Sequence, residues 1–295
     1  MRRTVSVSAV MILLVTLMAG LMPDLTRAQA QGWSCDVPVA ATPGATPATA
    51  LTPKARPFPT EGGNLTVFAA ASLTDAFTKM ADDLKGAHPN LNITFNFAGS
   101  QALVTQIAQG GAQADVLALA SPAQMKSAAE AGIPAEGAAT FVTNRLAVVV
   151  PADNPAGITA YADLAKAGVR LVLANPDVPA GAYARQSLCK AAAAGGPTTD
   201  DYAANIVSEE DNVRSVLTKV QLGEADAGIV YVTDAMTAGG KVRTIEIPAD
   251  QNVVASYPVA AISDNPLAAA FVGYIFSPEG QATLASFGFD PVNTP

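Results

Sequence analysis

The chain has 295 residues, of which 50% are apolar and 14% charged, with a formal net charge of −8 and a pI of about 4.6. This length is enough for two domains of ordinary size. The acidic balance and the lack of clustered Lys and Arg argue against nucleic acid as a partner. An acidic chain also repels anions at long range, so a bound anion would need local hydrogen bonds.

Residues 1–30 have the pattern of a secretory signal peptide. Arg2 and Arg3 form a positively charged start, and residues 10–22 are an apolar segment too short for a comfortable membrane span. Ala28-Gln29-Ala30 fits a small-x-small cleavage site. The sequence therefore predicts an exported protein, in the periplasm or at the outer face of the cytoplasmic membrane.

The two cysteines, Cys35 and Cys189, leave three alternatives open. A disulfide between them is allowed in an exported protein. Cys35 could instead carry a lipid, which is disfavoured because Gly32 and Trp33 stand where a lipid-attachment motif would have Leu and a small residue. Cys189 could equally be a buried apolar residue in its helix.

The part of the chain after the signal peptide is predicted to form a tether and two lobes. Residues 31–61 are rich in Pro, Thr and Ala and lack an apolar period, which is typical of an extended or disordered tether. Strands near residues 141–150 and 255–262 are predicted to cross between the lobes as a hinge. Residues 62–147 and 255–295 are assigned to lobe 1, and residues 148–254 to lobe 2.

Strands and helices alternate along both lobes, beginning with a strand and a helix within residues 64–86. This alternation predicts parallel sheets with helices on both faces. Further strands are predicted at 91–97, 115–120, 171–174, 206–208, 227–231 and 242–247, the last at an edge, and helices at 101–109, 161–167, 182–194, 213–222, 266–276 and 277–287.

Four strand-to-helix turns look alike in role, because each lies where a predicted strand ends and a helix begins. They are Ala71-Ser72, Gly99-Ser100, residues 179–181 and Asn212-Val213, two in each lobe. The first N–H groups of a helix have no partner within it and carry partial positive charge. Because ligands of open parallel sheets lie at the carboxyl ends of strands, these turns are predicted to surround a compact oxyanion.

Most of the candidate residues also have a purely structural explanation. Ser72 fits a helix N-cap in a capping box, and Ser100 fits a plain cap. Ala180 and Gly181 fit an ordinary loop before a helix. Tyr231 fits a half-buried strand residue with its hydroxyl at the surface. Only the joint occurrence of these features favours a ligand site.

Five motifs in a fixed order carry a resemblance to a known family. From about residue 62 to 290 the chain resembles the molybdate-binding proteins of bacterial molybdate ABC transporters. The motifs are residues 67–73 (VFAAASL), 97–100 (FAGS), 178–184 (VPAGAYA), 210–214 (EDNVR) and 227–231 (AGIVY).

The resemblance implies a two-lobed α/β periplasmic-binding-protein fold, each lobe a mainly parallel sheet with helices on both faces and two crossover strands as hinge. It implies a molybdate or tungstate ligand, with molybdenum held only as the oxyanion. Its contacts carry over to the hydroxyls and amides of Ser72 and Ser100, the amides of Ala180 and Val213, and the Tyr231 hydroxyl. It further implies a monomer that serves a membrane permease, without a cofactor.

The chemistry of molybdate agrees with a site made only of donors. Near neutral pH molybdate is a fully deprotonated tetrahedral dianion, so its oxygens accept hydrogen bonds and none donates. Such a site prefers it to protonated phosphate, whose hydrogen would meet another donor. Sulfate has the same charge and shape, so only cavity size could reject it, and a receptor for another oxyanion such as sulfate is the alternative.

An enzyme is disfavoured by the absence of catalytic motifs. The single histidine, His88, is predicted at the surface, and no G-x-S-x-G, phosphate-loop or dinucleotide pattern occurs. No cluster has metal-ligand spacing. A receptor for an organic acid would use an arginine clamp, whereas Arg185 and Arg214 are predicted on solvated helix faces.

Overall fold

The computed structural model describes residues 33–35 and 56–292. The predicted signal peptide, residues 1–30, lies outside the described residues, as does most of the predicted tether, residues 31–61. Both assignments therefore stay predictions from the sequence.

The described residues form ten strands and nine α-helices. Two 3-10 turns, Ala71–Leu73 and Tyr161–Ala165, accompany them. The strands are β1 (Gly63–Ala70), β2 (Leu91–Ala98), β3 (Val116–Ala118), β4 (Ala139–Pro151), β5 (Leu171–Ala174), β6 (Ile206–Glu210), β7 (Ala227–Tyr231), β8 (Val242–Ile245), β9 (Val254–Ala261) and β10 (Asp290–Pro291). The helices are α1 (Thr74–Ala87), α2 (Ser100–Ala108), α3 (Pro122–Glu130), α4 (Pro179–Ala193), α5 (Thr199–Ala203), α6 (Val213–Gln221), α7 (Val232–Met236), α8 (Pro266–Ile275) and α9 (Pro278–Ser286).

The strands follow the order β2-β1-β3-β9-β4-β7-β5-β6, and β8 and β10 also pair with β4. Strand β4 is shared: its residues up to Arg145 pair with β9, and those from Leu146 pair with β7. We call the strands on the β9 side, with β10, the first half of the sheet, and β5 to β8 the second half. The change of partner falls where the sequence places the first crossing, while the lobe boundaries stay a prediction.

Parallel and antiparallel pairs have separate places in the sheet. Strand β1 is parallel to β2 and β3, and β5 is parallel to β6 and β7. The crossing strands β4 and β9 are antiparallel to each other and to their neighbours β3 and β7. The predicted α/β class is confirmed, with a parallel core in each half and antiparallel strands joining the two halves.

An aromatic cluster fills the core beside the crossing strands. The ring of Phe77 in α1 lies 6.0 Å from that of Phe141 and 5.7 Å from that of Phe271. The ring of Tyr257 in β9 is 6.4 Å from Phe141 and 5.5 Å from Phe289, and it is fully buried. Such packing fixes the ring of Tyr257 and therefore the position of its hydroxyl.

Of the three alternatives for the cysteines, the structure contains the disulfide. Cys35 and Cys189 are bonded, with their Cα atoms 5.6 Å apart. Trp33 strengthens this attachment, because its Nε1 donates to the carbonyl of Arg185 and its ring lies 5.6 Å from the guanidinium carbon of that residue. The sulfur of Cys35 is therefore bonded to Cys189 of the same chain.

Several predicted boundaries are wrong. Helix α4 begins at Pro179, three residues before the predicted start, because proline is well accommodated at the first helical position. Tyr161–Ala165 is a 3-10 turn and not the predicted helix. Helix α5 was not predicted, although Thr198 and Asp201 form the capping box that starts it.

Candidate functional site

All five residues predicted to contact a ligand line one small cavity. The cavity lies where β1 and β2 end and where α2, α4 and α6 begin, so both halves of the sheet contribute to it. Every lining side chain is uncharged, so a ligand here would be held by neutral groups. The lining residues are Ala70, Ala71, Ser72, Ala98, Gly99, Ser100, Ala120, Val178, Pro179, Ala180, Asn212, Val213 and Tyr231.

Ser72 lies in the 3-10 turn Ala71–Leu73 that joins β1 directly to α1. Its hydroxyl oxygen is buried and lies 2.9 Å from the hydroxyl oxygen of Tyr257. The predicted capping box is wrong, because the N-cap of α1 is Leu73 and no side chain caps either the turn or that helix. The Ser72 hydroxyl is therefore held by a side chain of β9.

Ser100 is the first residue of α2, and the cap position belongs to Gly99. The Ser100 hydroxyl oxygen accepts a hydrogen bond of 3.0 Å from the main-chain N–H of Ala120. Because an N–H can only donate, the hydroxyl hydrogen of Ser100 is available to another acceptor. The plain-cap interpretation is wrong, and Ser100 lines the cavity with its hydroxyl hydrogen still available for donation.

Ala180 and Gly181 lie in the first turn of α4, so the interpretation as a loop is wrong. A Cβ atom added to Gly181 would lie 2.1 Å from the main-chain oxygen of Asn175 and 2.3 Å from that of Ala174. This distance is far below van der Waals contact, so the start of α4 packs tightly against the end of β5. The close packing fixes where the first N–H groups of α4 lie.

Val213 is the first residue of α6, and Asn212 occupies the cap position. The Asn212 side-chain oxygen accepts a hydrogen bond of 3.0 Å from the N–H of Ser215, the third residue of the helix. The Asn212 side chain therefore pairs with the N–H of the third residue of α6 and not with that of the first. The N–H of Val213 has no partner within its helix, and Val213 lines the cavity.

Tyr231 ends β7 and is only 1% exposed, so the alternative explanation of a half-buried strand residue with a surface hydroxyl is wrong. Its hydroxyl is buried and has no hydrogen-bond partner within the described part of the chain. Burial raises its pKa well above 10; the neighbouring Tyr257 adds to this, although the two hydroxyls do not meet hydrogen-bond geometry. A buried group left unpaired costs about 1–3 kcal/mol, which an acceptor in the cavity would relieve.

Of the four helix starts at the cavity, three lack a side-chain cap within the described part of the chain, while α6 is capped by Asn212. The 3-10 turn, α2 and α4 have no side-chain cap among the described residues. Away from the cavity, α3, α5, α8 and α9 are capped by Ser121, Thr198, Asn265 and Ser277, while the 3-10 turn Tyr161–Ala165 has no side-chain cap from the residues that the structure describes. Uncapped first-turn N–H groups need another partner, and an anion is the partner that suits their partial charge.

Two arginines predicted on solvated faces are in fact buried or partly buried. Arg185 donates to the carbonyls of Ala174 and Gly181 and pairs with Glu209, and burial lowers its pKa. Its guanidinium thus binds the first turn of α4 to the end of β5. The alanine-rich sequence of α4 gives little periodicity, so the buried face could not be identified.

Arg214 lies beside the cavity without lining it. Its Nε is 2.6 Å from a carboxylate oxygen of Asp234 in α7. Its Nη2 is 2.5 Å from a carboxylate oxygen of Asp75 in α1, which follows a strand of the first half of the sheet. Burial raises the pKa of Asp234 to about 6, although the Arg214 charge opposes that rise. The cation is therefore used by two carboxylates and is not directed at a ligand.

Tyr257 and Asn144, which were not predicted as site residues, lie behind the cavity on the two crossing strands. Asn144 Nδ2 is 2.9 Å from the Thr233 hydroxyl and 3.5 Å from the Tyr257 hydroxyl. Asparagine is uncommon within strands, so Asn144 in the middle of β4 is a signal that could have indicated a buried polar contact. The contact of Tyr257 with Ser72 depends on strand register, so it could not have been predicted from the sequence.

Within residues 33–35 and 56–292, no group of three or more His, Cys, Asp or Glu side chains is placed to hold a metal ion. None of the helices in that part of the chain combines the length and the apolar character needed to cross a membrane.

A cavity of neutral donors between two halves of an α/β sheet is typical of proteins that carry small solutes. The family model described as "Bacterial extracellular solute-binding protein" matches residues 65–290. The chain belongs to this family.

Similar proteins include the "Molybdate-binding protein ModA" of Mycobacterium tuberculosis (strain ATCC 25618 / H37Rv), 41% identical over 235 residues that cover 78% of this chain and 86% of the relative. The "Sulfate-binding protein" of Synechococcus elongatus is 30% identical over 256 residues, covering 77% of this chain and 71% of the relative. Among solved structures, the "substrate binding domain of putative molybdenum ABC transporter from Clostridium difficile" has 28% identity and a TM-score of 0.57, covering 78% of this chain and 99% of that one.

Proposed function

We propose that this protein is an exported receptor that binds molybdate or tungstate and delivers it to the permease of an ABC transporter. The oxyanion is held in the cavity by the hydroxyls and amides of Ser72 and Ser100, the amides of Ala180 and Val213, and the hydroxyl of Tyr231. Molybdenum enters as the oxyanion, so its atom contacts no side chain directly.

The observation that carries this proposal is the convergence of neutral donors on one cavity. Ser100 has its oxygen occupied by an N–H donor, Tyr231 has an unpaired buried hydroxyl, and the 3-10 turn, α2 and α4 start without side-chain caps. All of these groups donate and none of the lining side chains carries a carboxylate. A fully deprotonated tetrahedral dianion is the ligand that satisfies such a set.

The relatives support the same ligand. The 41% identical protein is named for molybdate, and the more distant 30% identical protein is named for sulfate. Sulfate is therefore the second candidate, since it is a dianion of the same shape and would use the same donors. We also propose that the protein acts as a monomer, without catalytic activity, cofactor or nucleic-acid partner.

Isothermal titration calorimetry of the protein lacking residues 1–30 tests the proposal with molybdate, tungstate, sulfate and phosphate at pH 7. We expect binding of molybdate and tungstate, weaker binding of sulfate, and binding of phosphate so weak that it is measured only by competition at high phosphate concentration. Thermal unfolding should shift upwards with molybdate concentration, because a ligand that binds only the folded state stabilises it. Heat from sulfate with none from molybdate would reject the assignment in favour of the second candidate.

A further inference from the structure

Behind Ser72, a buried chain of polar side chains links the two crossing strands to the cavity. It runs from Asn144 in β4 to Tyr257 in β9 and then to Ser72 in the 3-10 turn. Asn144 also donates to Thr233, which lies two residues after Tyr231. All four side chains are at most 3% exposed, so solvent does not compete for their hydrogen bonds.

The orientation of the Asn144 amide is fixed by its main-chain neighbour. Its oxygen lies 2.9 Å from the main-chain nitrogen of Arg145, which can only donate. The side-chain oxygen must therefore face Arg145, and the NH2 group must face the hydroxyls of Thr233 and Tyr257. The long 3.5 Å contact to Tyr257 is weak as a hydrogen bond, but it presents a donor to that oxygen.

The Asn144 amide in turn sets the direction of the hydrogen bond between Tyr257 and Ser72. The Tyr257 oxygen faces the Asn144 donor on one side, so its own hydrogen is best directed at the Ser72 oxygen, 2.9 Å away. Ser72 has only one hydroxyl hydrogen. When the oxygen of Ser72 accepts from Tyr257, that hydrogen is left for the cavity.

Ser100 provides an independent example of the same arrangement. There the direction is certain, because the group that donates to the serine oxygen is the main-chain N–H of Ala120. With Tyr257 donating to Ser72, both serines of the cavity have their oxygens occupied from behind, one by an amide and one by a phenol. In both cases the serine is left to act as a donor.

We propose that Tyr257 is a specificity-determining positioning residue, which holds Ser72 as a hydrogen-bond donor and so excludes oxyanions that carry a proton. This inference rests on the proposed function, because it concerns the same cavity. Tyr257 does not contact the ligand. It acts by occupying the Ser72 oxygen, the atom that could otherwise accept a hydrogen bond from a protonated ligand.

The test is the variant Tyr257→Phe, which keeps the ring in the aromatic cluster and removes only the hydroxyl. The matched control is Tyr161→Phe, because the Tyr161 hydroxyl makes a buried 2.8 Å hydrogen bond to Ser187 away from the cavity. Each protein is titrated with molybdate alone and with molybdate in competition with phosphate, which keeps at least one proton at pH 7.

In Tyr257→Phe we expect the molybdate Kd to rise about 10-fold, the size of one weakened hydrogen bond to a charged group. Phosphate should lose less affinity or gain some, so the preference for molybdate over phosphate falls. Tyr161→Phe should leave that preference unchanged. In the background of Ser72→Ala, Tyr257→Phe should cause no further loss, because it acts through Ser72.

The outcomes separate the two proposals. If the unmodified protein does not bind molybdate, the proposed function fails. If it binds molybdate and folded Tyr257→Phe keeps the same preference, or if Tyr161→Phe shifts it equally, the role of Tyr257 is overturned. Should Tyr257→Phe not fold, Asn144→Ala removes the donor that sets the direction and is expected to lower the same preference.

Discussion

The two halves of the sheet supply donors to the cavity in different ways. The first half offers two serine hydroxyls, each held from behind by another group, Ser72 by Tyr257 and Ser100 by Ala120. The second half offers helix starts at Ala180 and Val213, where the side chains themselves are apolar. Tyr231 is the exception in the second half.

This difference decides which substitutions can reveal the site. A donor on a side chain is removed by alanine, whereas a donor on the main chain survives every substitution except proline. An alanine scan would therefore find the first half of the site and overlook most of the second. Substitutions chosen for each half therefore test whether its donors lie on side chains or on the main chain.

Ser100→Ala is expected to have the largest effect on binding. It removes a hydroxyl donor to a charged ligand and also leaves the buried N–H of Ala120 without its acceptor. A hydrogen bond to a charged group contributes about 1.5–3 kcal/mol, so the molybdate Kd should rise about 10- to 150-fold in calorimetry. Ser127→Ala, at an exposed position of α3, is the control and should leave the Kd unchanged. An unchanged Kd for Ser100→Ala would mean that its role is structural.

Val213→Pro tests the main-chain donor of the second half. Proline removes the N–H, yet it is favoured at the first helical position, and the preceding Asn212 is already extended at φ −160° and ψ 165°. We expect an approximately 10-fold rise in the molybdate Kd, because one charge-assisted hydrogen bond is lost. Circular dichroism should show that α6 is retained.

Val213→Ala is the matched control, because it shortens the side chain and keeps the N–H. Its Kd should change by less than about 3-fold, although its thermal stability should fall, since Val213 is 4% exposed. Equal losses of affinity in the two variants would contradict the assignment of a main-chain donor to Val213. The side chain of Val213, and not its amide, would then be responsible for binding.

Local patterns predicted the strand-to-helix turns because they depend on neighbouring residues. The small residues after β1 and β2 and the proline before Ala180 are visible in the sequence, and these turns do meet at one cavity. The same local patterns also allowed Ser72 and Ser100 to be interpreted as caps, which the structure contradicts. A serine before a helix is identical in the sequence whether its oxygen turns to its own helix or to a residue far along the chain.

The features that could not be predicted depend on contacts between distant segments. Tyr257 is 185 residues from Ser72, and Arg214 is 139 residues from Asp75. Their partners follow from the register of β9 beside β4 and from the approach of α6 to α1, neither of which has a local pattern. For the same reason the pairing of Cys35 with Cys189 remained open until the structure placed them together.

The smallest predicted effect concerns the contacts that join the two halves beside the cavity. Arg214 of α6 pairs with Asp75 of α1, and Gln101 of α2 donates to the carbonyl of Asp211 at 3.0 Å. In Asp75→Asn the first of these is weakened. The pair is partly exposed, so its contribution is below about 1 kcal/mol, and the dissociation rate of molybdate should rise about 2- to 5-fold in stopped-flow measurements.

The sign of that change is informative, because two effects of Asp75→Asn oppose each other. Weaker contact between the halves speeds dissociation, whereas removal of a negative charge near a dianion slows it. Asp75 is 40% exposed at its side chain, so solvent screens its repulsion of the ligand, while its contact with Arg214 is direct. We therefore expect loss of the Arg214–Asp75 contact to outweigh removal of the charge, so that dissociation becomes faster. Asp83→Asn, which removes an equal charge from an exposed pair within α1, should leave the rate unchanged. Slower dissociation from Asp75→Asn would show that long-range charge outweighs the contact between the halves.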